Sequence, residues 1–204
     1  MKKEHILAIL FFSGLWGLSE AALGGWLYAA GMNDAACVIL AVVALGILAA
    51  ARACVPWGGS STAIAALAML YKFLNAPFFA CHLLAILFLG AAFDAAYSLA
   101  RGKYKPVIGA AATWVGFAAF ALLITYVFRY RWWADEGWPK VLHYVAVNGT
   151  LAAVCNAVVV PVGDRLARRL MDRSSRRLAL RAYALPALSV VTLGVWVLAA
   201  VQML

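Results

Sequence analysis

The chain has 204 residues, 67% of them hydrophobic and 12% charged, with a formal net charge of +9. A soluble domain of this size cannot hide so much apolar side chain, because a small fold leaves much of its surface in water. These proportions exclude a soluble globule, and apolar stretches of roughly 20 residues recur along the whole length, so residues 1–204 read as one integral membrane domain.

In chain order, the apolar segments predict helices at His5 to Gly31, Ala35 to Ala51, Ser60 to Leu74, Pro77 to Ala100, Pro106 to Phe128, Val141 to Val162 and Tyr183 to Leu204. The expected fold class is therefore an all-α polytopic membrane protein, a compact bundle of six to seven transmembrane helices. The first stretch is too long for a signal-peptide core, and it is expected to stay in the mature protein. Asn33-Asp34 predicts a tight turn, Pro56-Trp57-Gly58-Gly59 a loop, Asn75-Ala76-Pro77 a break, and Arg101-Gly102 with Pro106 a stop and restart. Ser60 to Leu74 is short for a full span and is expected to enter at a tilt or as a partly re-entrant segment.

Within the first helix, Ser13, Gly17, Ala21, Gly25 and Ala29 recur every four residues. That spacing keeps small side chains on one slowly drifting face, where another helix can approach closely. Packing inside the bundle is one use of such a face; docking of a partner membrane protein on Gly17, Ala21 and Gly25 is the other. Glu20 lies on the same helix near the membrane midplane, where a carboxyl group must face protein or a watery cavity. Lys72 stands close enough to a helix end to snorkel, and Asp94 is expected to pair with a neighbouring helix or to be protonated.

Charge orients the bundle. With the amino terminus inside, Lys2, Lys3, Arg52, Arg101, Lys103, Lys105 and the arginines from Arg165 to Arg181 fall on the cytoplasmic side, leaving Arg129, Arg131 and Lys140 outside with Asp135 and Glu136. The segment at about 164–181, "DRLARRLMDRSSRRLALR", predicts a basic amphipathic helix on the inner surface, with Asp172 placed to pair with Arg176. Basic residues that flank spans point to anionic lipid, and no nucleic-acid module accompanies them. The aromatic loop "RYRWWADEGWPK", Arg129 to Lys140, falls outside. Its bland use is an interfacial belt; its other use is to cover a large, flat, amphiphilic ligand.

Several chemistries lack their motifs. There is no G-x-x-x-x-G-K-[ST], hence no ATP site of the P-loop type, and no G-x-S-x-G or H-E-x-x-H. Asn148-Gly149-Thr150 matches a glycosylation sequon but falls inside a predicted span. Of the four cysteines Cys37, Cys54, Cys81 and Cys155, three sit among small apolar residues, where free cysteine behaves as a compact hydrophobe. Cys81 differs. It falls in the first turns of a helix beginning near Pro77, at the outward end, where exposed amides and the helix dipole favour an anion. A thiolate there can give one axial bond to a soft or borderline metal held otherwise by a macrocycle; the alternative is simple packing.

The small-residue first helix "GLWGLSEAALGGWLYAAG", the tightly spaced helices and the cysteine in "NAPFFACH" resemble the S-components of energy-coupling-factor (ECF) vitamin transporters, most closely the solitary cobalamin-specific BtuM proteins of Gram-negative bacteria. The resemblance implies an S-component-like bundle in the bacterial inner membrane that takes up cobalamin (vitamin B12) or a related corrinoid from the periplasm. It implies a pocket cysteine, here Cys81, as the axial ligand of the substrate's cobalt, with energy from an ECF-type module or from none. It also implies movement by toppling or by a partner. S-components have a six-helix core, whereas seven hydrophobic segments are counted here. Alongside it, His82, Tyr71, Asn75, His143 and Asn148 are candidate ligand contacts, and Cys81 is a candidate for removing cyanide from bound cyanocobalamin. Two other classes use the same residues: a haem-binding or redox protein with His82 and His143 as axial ligands, and an intramembrane enzyme with Cys81 as nucleophile and His82 or His143 as base, of which His143 is the one required because helix neighbours point about 100° apart.

Overall fold

The structure, a computed structural model, describes residues 3–74 and 80–175. Among these residues it is all-helical. Asn75, the start of the fourth helix near Pro77, the Tyr183 to Leu204 segment and Arg176, Arg177 and Arg181 lie outside the described residues.

Helix α1 runs Lys3–Ala29, α2 Asn33–Cys54 and α3 Ser60–Ala68, which tightens into a 3-10 stretch at Met69–Leu74. Helix α4 covers Ala80–Leu99 and α5 Lys105–Leu122, continued by a π turn at Leu123–Val127. Two short helices, α6 (Arg131–Glu136) and α7 (Trp138–His143), follow, and a second π turn at Tyr144–Gly149 joins α7 to α8, Thr150–Ser175. Five of these segments, His5–Ala29, Asn33–Cys54, Cys81–Leu99, Lys105–Val127 and Trp138–Met171, are long and apolar enough to cross a membrane. The chain is a multi-pass membrane protein.

The breaks follow local chemistry. Gly31, Gly59 and Gly102 take positive φ at three turns, and Pro106 stands at the first turn of α5, where its missing N–H costs nothing. The aromatic loop is not irregular: its residues form α6 and α7, separated by Gly137 at φ 59° and ψ −136°.

Packing closes a ring. Helix α1 packs on α2, α2 on α8, α8 on α5, α5 on α4, α4 on α3, and α3 back on α1. In lipid, apolar side chains gain little by leaving the solvent, so close approach of backbones decides which helices pair. Gly163 of α8 lies so near α2 that a Cβ there would stand 2.9 Å from the Gly46 carbonyl oxygen, and Gly90 of α4 would press on the Ser61 carbonyl of α3 at the same distance. The outer faces of α5 and α8 carry exposed Trp114, Val115, Val154 and Val158, the surface a bilayer covers.

As far as Ser175, the basic stretch from Asp164 continues α8 without a break. Nothing between Val162 and Arg165 stops the helix, and Asp164 ties it to the start of α5 through Lys105, while Arg168 bonds the same carboxylate at 2.9 Å. Arg52, counted above among the basic residues of the cytoplasmic side, is buried. Its guanidinium pairs with Asp94 at 3.1 Å, bonds the Trp57 carbonyl and the Ser60 hydroxyl, and lies 4.8 Å over the Tyr97 ring. Asp94 also accepts the Thr62 amide at 2.7 Å and the Thr62 hydroxyl at 2.8 Å, so it does have its partner on a neighbouring helix.

Candidate functional site

At the end of the ring opposite Arg52, the helix termini splay around a cavity of about 950 Å³. That volume is near the top of the roughly 300–1,000 Å³ usual for ligand pockets. The last turns of α1 contribute Glu20, Gly25 and Tyr28, the first turns of α2 Asp34 and Cys37, the first turns of α4 Cys81 and His82, and the end of α5 Phe117 and Phe120. Helices α6 and α7 supply Trp132, Trp133, Glu136 and Lys140.

Cys81 is a free, half-buried thiol in this wall, on the first turn of α4. His82 beside it points elsewhere around the helix, since neighbours are about 100° apart, and stacks on the Tyr28 ring with centroids 5.4 Å apart and planes at 13°. The Lys72 ammonium stands 5.8 Å from the centroid of the same Tyr28 ring. Thiol, imidazole, phenol and ammonium therefore all line one cavity.

Lys72 does not snorkel. Only 5% exposed, it forms an ion pair with Glu20 at 2.9 Å and donates to the Glu20 backbone carbonyl at 3.3 Å, while the Trp16 indole N–H donates to the other carboxylate oxygen at 3.3 Å. Lys72 lies in the 3-10 stretch after Ala68, and its ammonium reaches α1 beside Gly24, where a Cβ would stand 3.5 Å from Nζ.

The opposite wall is aromatic. Trp133 meets Tyr144 edge-on at 5.1 Å and Phe120 at 5.8 Å, and Phe117 stacks on Tyr144 at 5.1 Å. Trp132 and Trp138 remain largely exposed, as an interfacial belt requires, whereas Trp133 turns inward. The aromatic segment thus divides, with Trp132 and Trp138 exposed and Trp133 half-buried in the cavity lining.

Of the residues singled out in the sequence, Cys81 and His82 line the cavity together. Tyr71 is buried beneath it, its ring against Gly17, and does not form the wall. Asn148 is buried behind the wall, donating to the Asp34 carboxylate at 3.3 Å. His143 is exposed on α7 and does not line the cavity. The small-residue face of α1 is divided: Gly17 is covered by Tyr71 and Gly25 lines the cavity, so within the chain neither presents an outward docking surface. Ala21, between them, is half-buried.

Cys37 and Tyr144 join the wall without having been singled out. The turn expected at Asn33-Asp34 falls just before it, at Ala30-Gly31, so Asn33 and Asp34 open α2; Cys37 lies one helical turn further on, at the same end as Cys81, and its thiol donates to the Asp34 carbonyl at 3.0 Å. Among the described residues no three His, Cys, Asp or Glu side chains converge to hold a metal ion. No protein-family model, no curated protein and no solved structure matches this chain.

Proposed function

We propose that this protein binds cobalamin or a related corrinoid in the cavity and mediates its uptake across the bacterial inner membrane, with the Cys81 thiolate as axial ligand of the cobalt that the substrate carries. The observation that carries the reading is Cys81 itself, a thiol in the wall of a cavity of about 950 Å³ whose opposite wall is aromatic. A single soft donor suits a metal that arrives with its equatorial positions filled. Flat aromatic faces suit the apolar body of a macrocycle. The lysine and arginine asymmetry supports an amino terminus inside, hence a cavity open to the periplasm.

Ligand exchange would then remove cyanide from cyanocobalamin without any redox change. The Cys81 sulfur–cobalt bond forms, the cobalt–carbon bond breaks, and cyanide leaves with its electron pair to be protonated in water. The rival readings gain less, because His143, the second haem ligand or the general base they need, stands outside the cavity wall.

The test is a visible spectrum of protein purified from cells supplied with cobalamin. Corrinoid bands shifted relative to the free vitamin are expected, and Cys81→Ser should abolish the shift. An unshifted corrinoid spectrum, the same shift in Cys81→Ser, or a haem spectrum overturns the assignment.

A further inference from the structure

Among the described residues two ion pairs, Arg52–Asp94 and Glu20–Lys72, have both side chains buried, and they differ in their surroundings. Arg52–Asp94 is wrapped by protein, with Ser60, Thr62, the Trp57 carbonyl and the Tyr97 ring around it, and it fastens the turn after α2 to α4. Glu20–Lys72 is different: both side chains line the cavity. Among the described residues the Lys72 ammonium has two oxygen contacts, both on Glu20, for its three N–H donors, and the Glu20 carboxylate receives only Lys72 and Trp16. A buried pair of this kind gives little stability over an apolar pair of similar volume, so structure alone does not account for it. An ionisable pair at membrane depth facing a cavity marks a place where something polar binds.

We infer that Glu20 and Lys72 form a ligand-contacting, specificity-determining pair that takes a primary carboxamide on the rim of the bound macrocycle. The inference rests on the corrinoid reading above. A carboxamide offers a carbonyl to the ammonium and an N–H to the carboxylate at once, so it fits a pair that presents one cation and one anion side by side. Placement agrees, since the pair lines the same cavity as Cys81, and the Tyr28 ring, 5.8 Å from the Lys72 ammonium, stacks on His82 beside Cys81. A macrocycle tied to Cys81 through its centre has its edge in that direction. A carboxylate at the same rim position keeps an acceptor for Lys72 but has no N–H for Glu20, whose charge repels it, so it binds more weakly than the carboxamide.

The experiment compares hydroxocobalamin with the isomers in which one peripheral amide is hydrolysed to a carboxylate, using purified full-length protein in detergent. Dissociation constants and the cobalt spectrum are read separately. For the wild type, one isomer should bind about 10- to 100-fold more weakly than hydroxocobalamin, the range for a lost charge-assisted hydrogen bond. Single substitutions leave a buried charge unpaired, so the informative variant is the double Glu20→Gln, Lys72→Met, checked for a monodisperse elution profile and an unchanged cobalt shift. It should bind that isomer and hydroxocobalamin with affinities within a few-fold of one another. Equal affinity of the wild type for all isomers overturns the inference, as does discrimination retained in the double variant, and both leave Cys81 ligation standing. A wild type that binds no corrinoid removes the corrinoid reading and this inference with it. If the double variant fails to elute as a folded species, Glu20→Asp is used: a shortened carboxylate should weaken discrimination, and unchanged discrimination counts against the pair.

Discussion

Gly17 and Tyr71 show how a single hydrogen atom in place of a side chain makes room for a buried ring. A Cβ on Gly17 would enter the Tyr71 ring, and that ring is already 1% exposed with no slack around it. Gly17→Ala is therefore expected to lower stability by about 1–3 kcal/mol through overpacking, read as a drop in melting temperature in detergent. Arg52 makes the opposite point about charge. Arg52→Met leaves Asp94 buried without its cation and should destabilise by about 3–5 kcal/mol, whereas adding Asp94→Asn should restore part of the loss. A double variant no better than the single one would mean that the arginine acts through its contacts with Trp57 and Ser60 rather than through Asp94.

At the scale of elements, α6 and α7 form a cover hung between two π turns. The turns at Leu123–Val127 and Tyr144–Gly149 each widen the helix, the second carries Tyr144 into the cavity wall, and Asn148 within it bonds Asp34 on α2. Between the short helices Gly137 holds φ 59° and ψ −136°, a backbone state that costs other residues about 1–3 kcal/mol. Gly137→Ala is expected to displace Trp133 from Phe120 and Tyr144, so bound ligand should leave faster while the Cys81-dependent spectral shift survives. Stopped-flow dissociation measures the first and absorbance the second. An unaltered dissociation rate would mean that the cover does not retain the ligand.

For the whole molecule, the ring α1–α2–α8–α5–α4–α3 places the cavity at one end and the Lys105–Asp164–Arg168 cluster at the other. With the amino terminus inside, an impermeant thiol reagent added to intact cells should label Ala134→Cys and not Lys103→Cys in a background where the native cysteines are replaced. Both positions are exposed. Labelling at 103 from outside would turn the cavity to the cytoplasm and end the proposed direction of uptake.

Composition and apolar run length by themselves determined that the chain is a multi-pass helical bundle, because lipid admits only helices and closed barrels, and continuous apolar runs of about 20 residues fit helices rather than the alternating strands of a barrel. Local chemistry also made the turns legible: the Pro56-Trp57-Gly58-Gly59 loop and the restart at Pro106 stand where glycine and proline require them. Cys81 could be singled out because its position at a helix start is a local property. The remaining features depend on distant residues. Nothing near Lys72 in sequence names Glu20, 52 residues away, and nothing near Asp94 names Arg52. Nor does the sequence near Cys37 show that it shares a cavity wall with Cys81. Only tertiary structure decided these, since whether a charge in an apolar helix snorkels or pairs depends on which helix lies against it, and in lipid that follows from the shapes of the two packed faces.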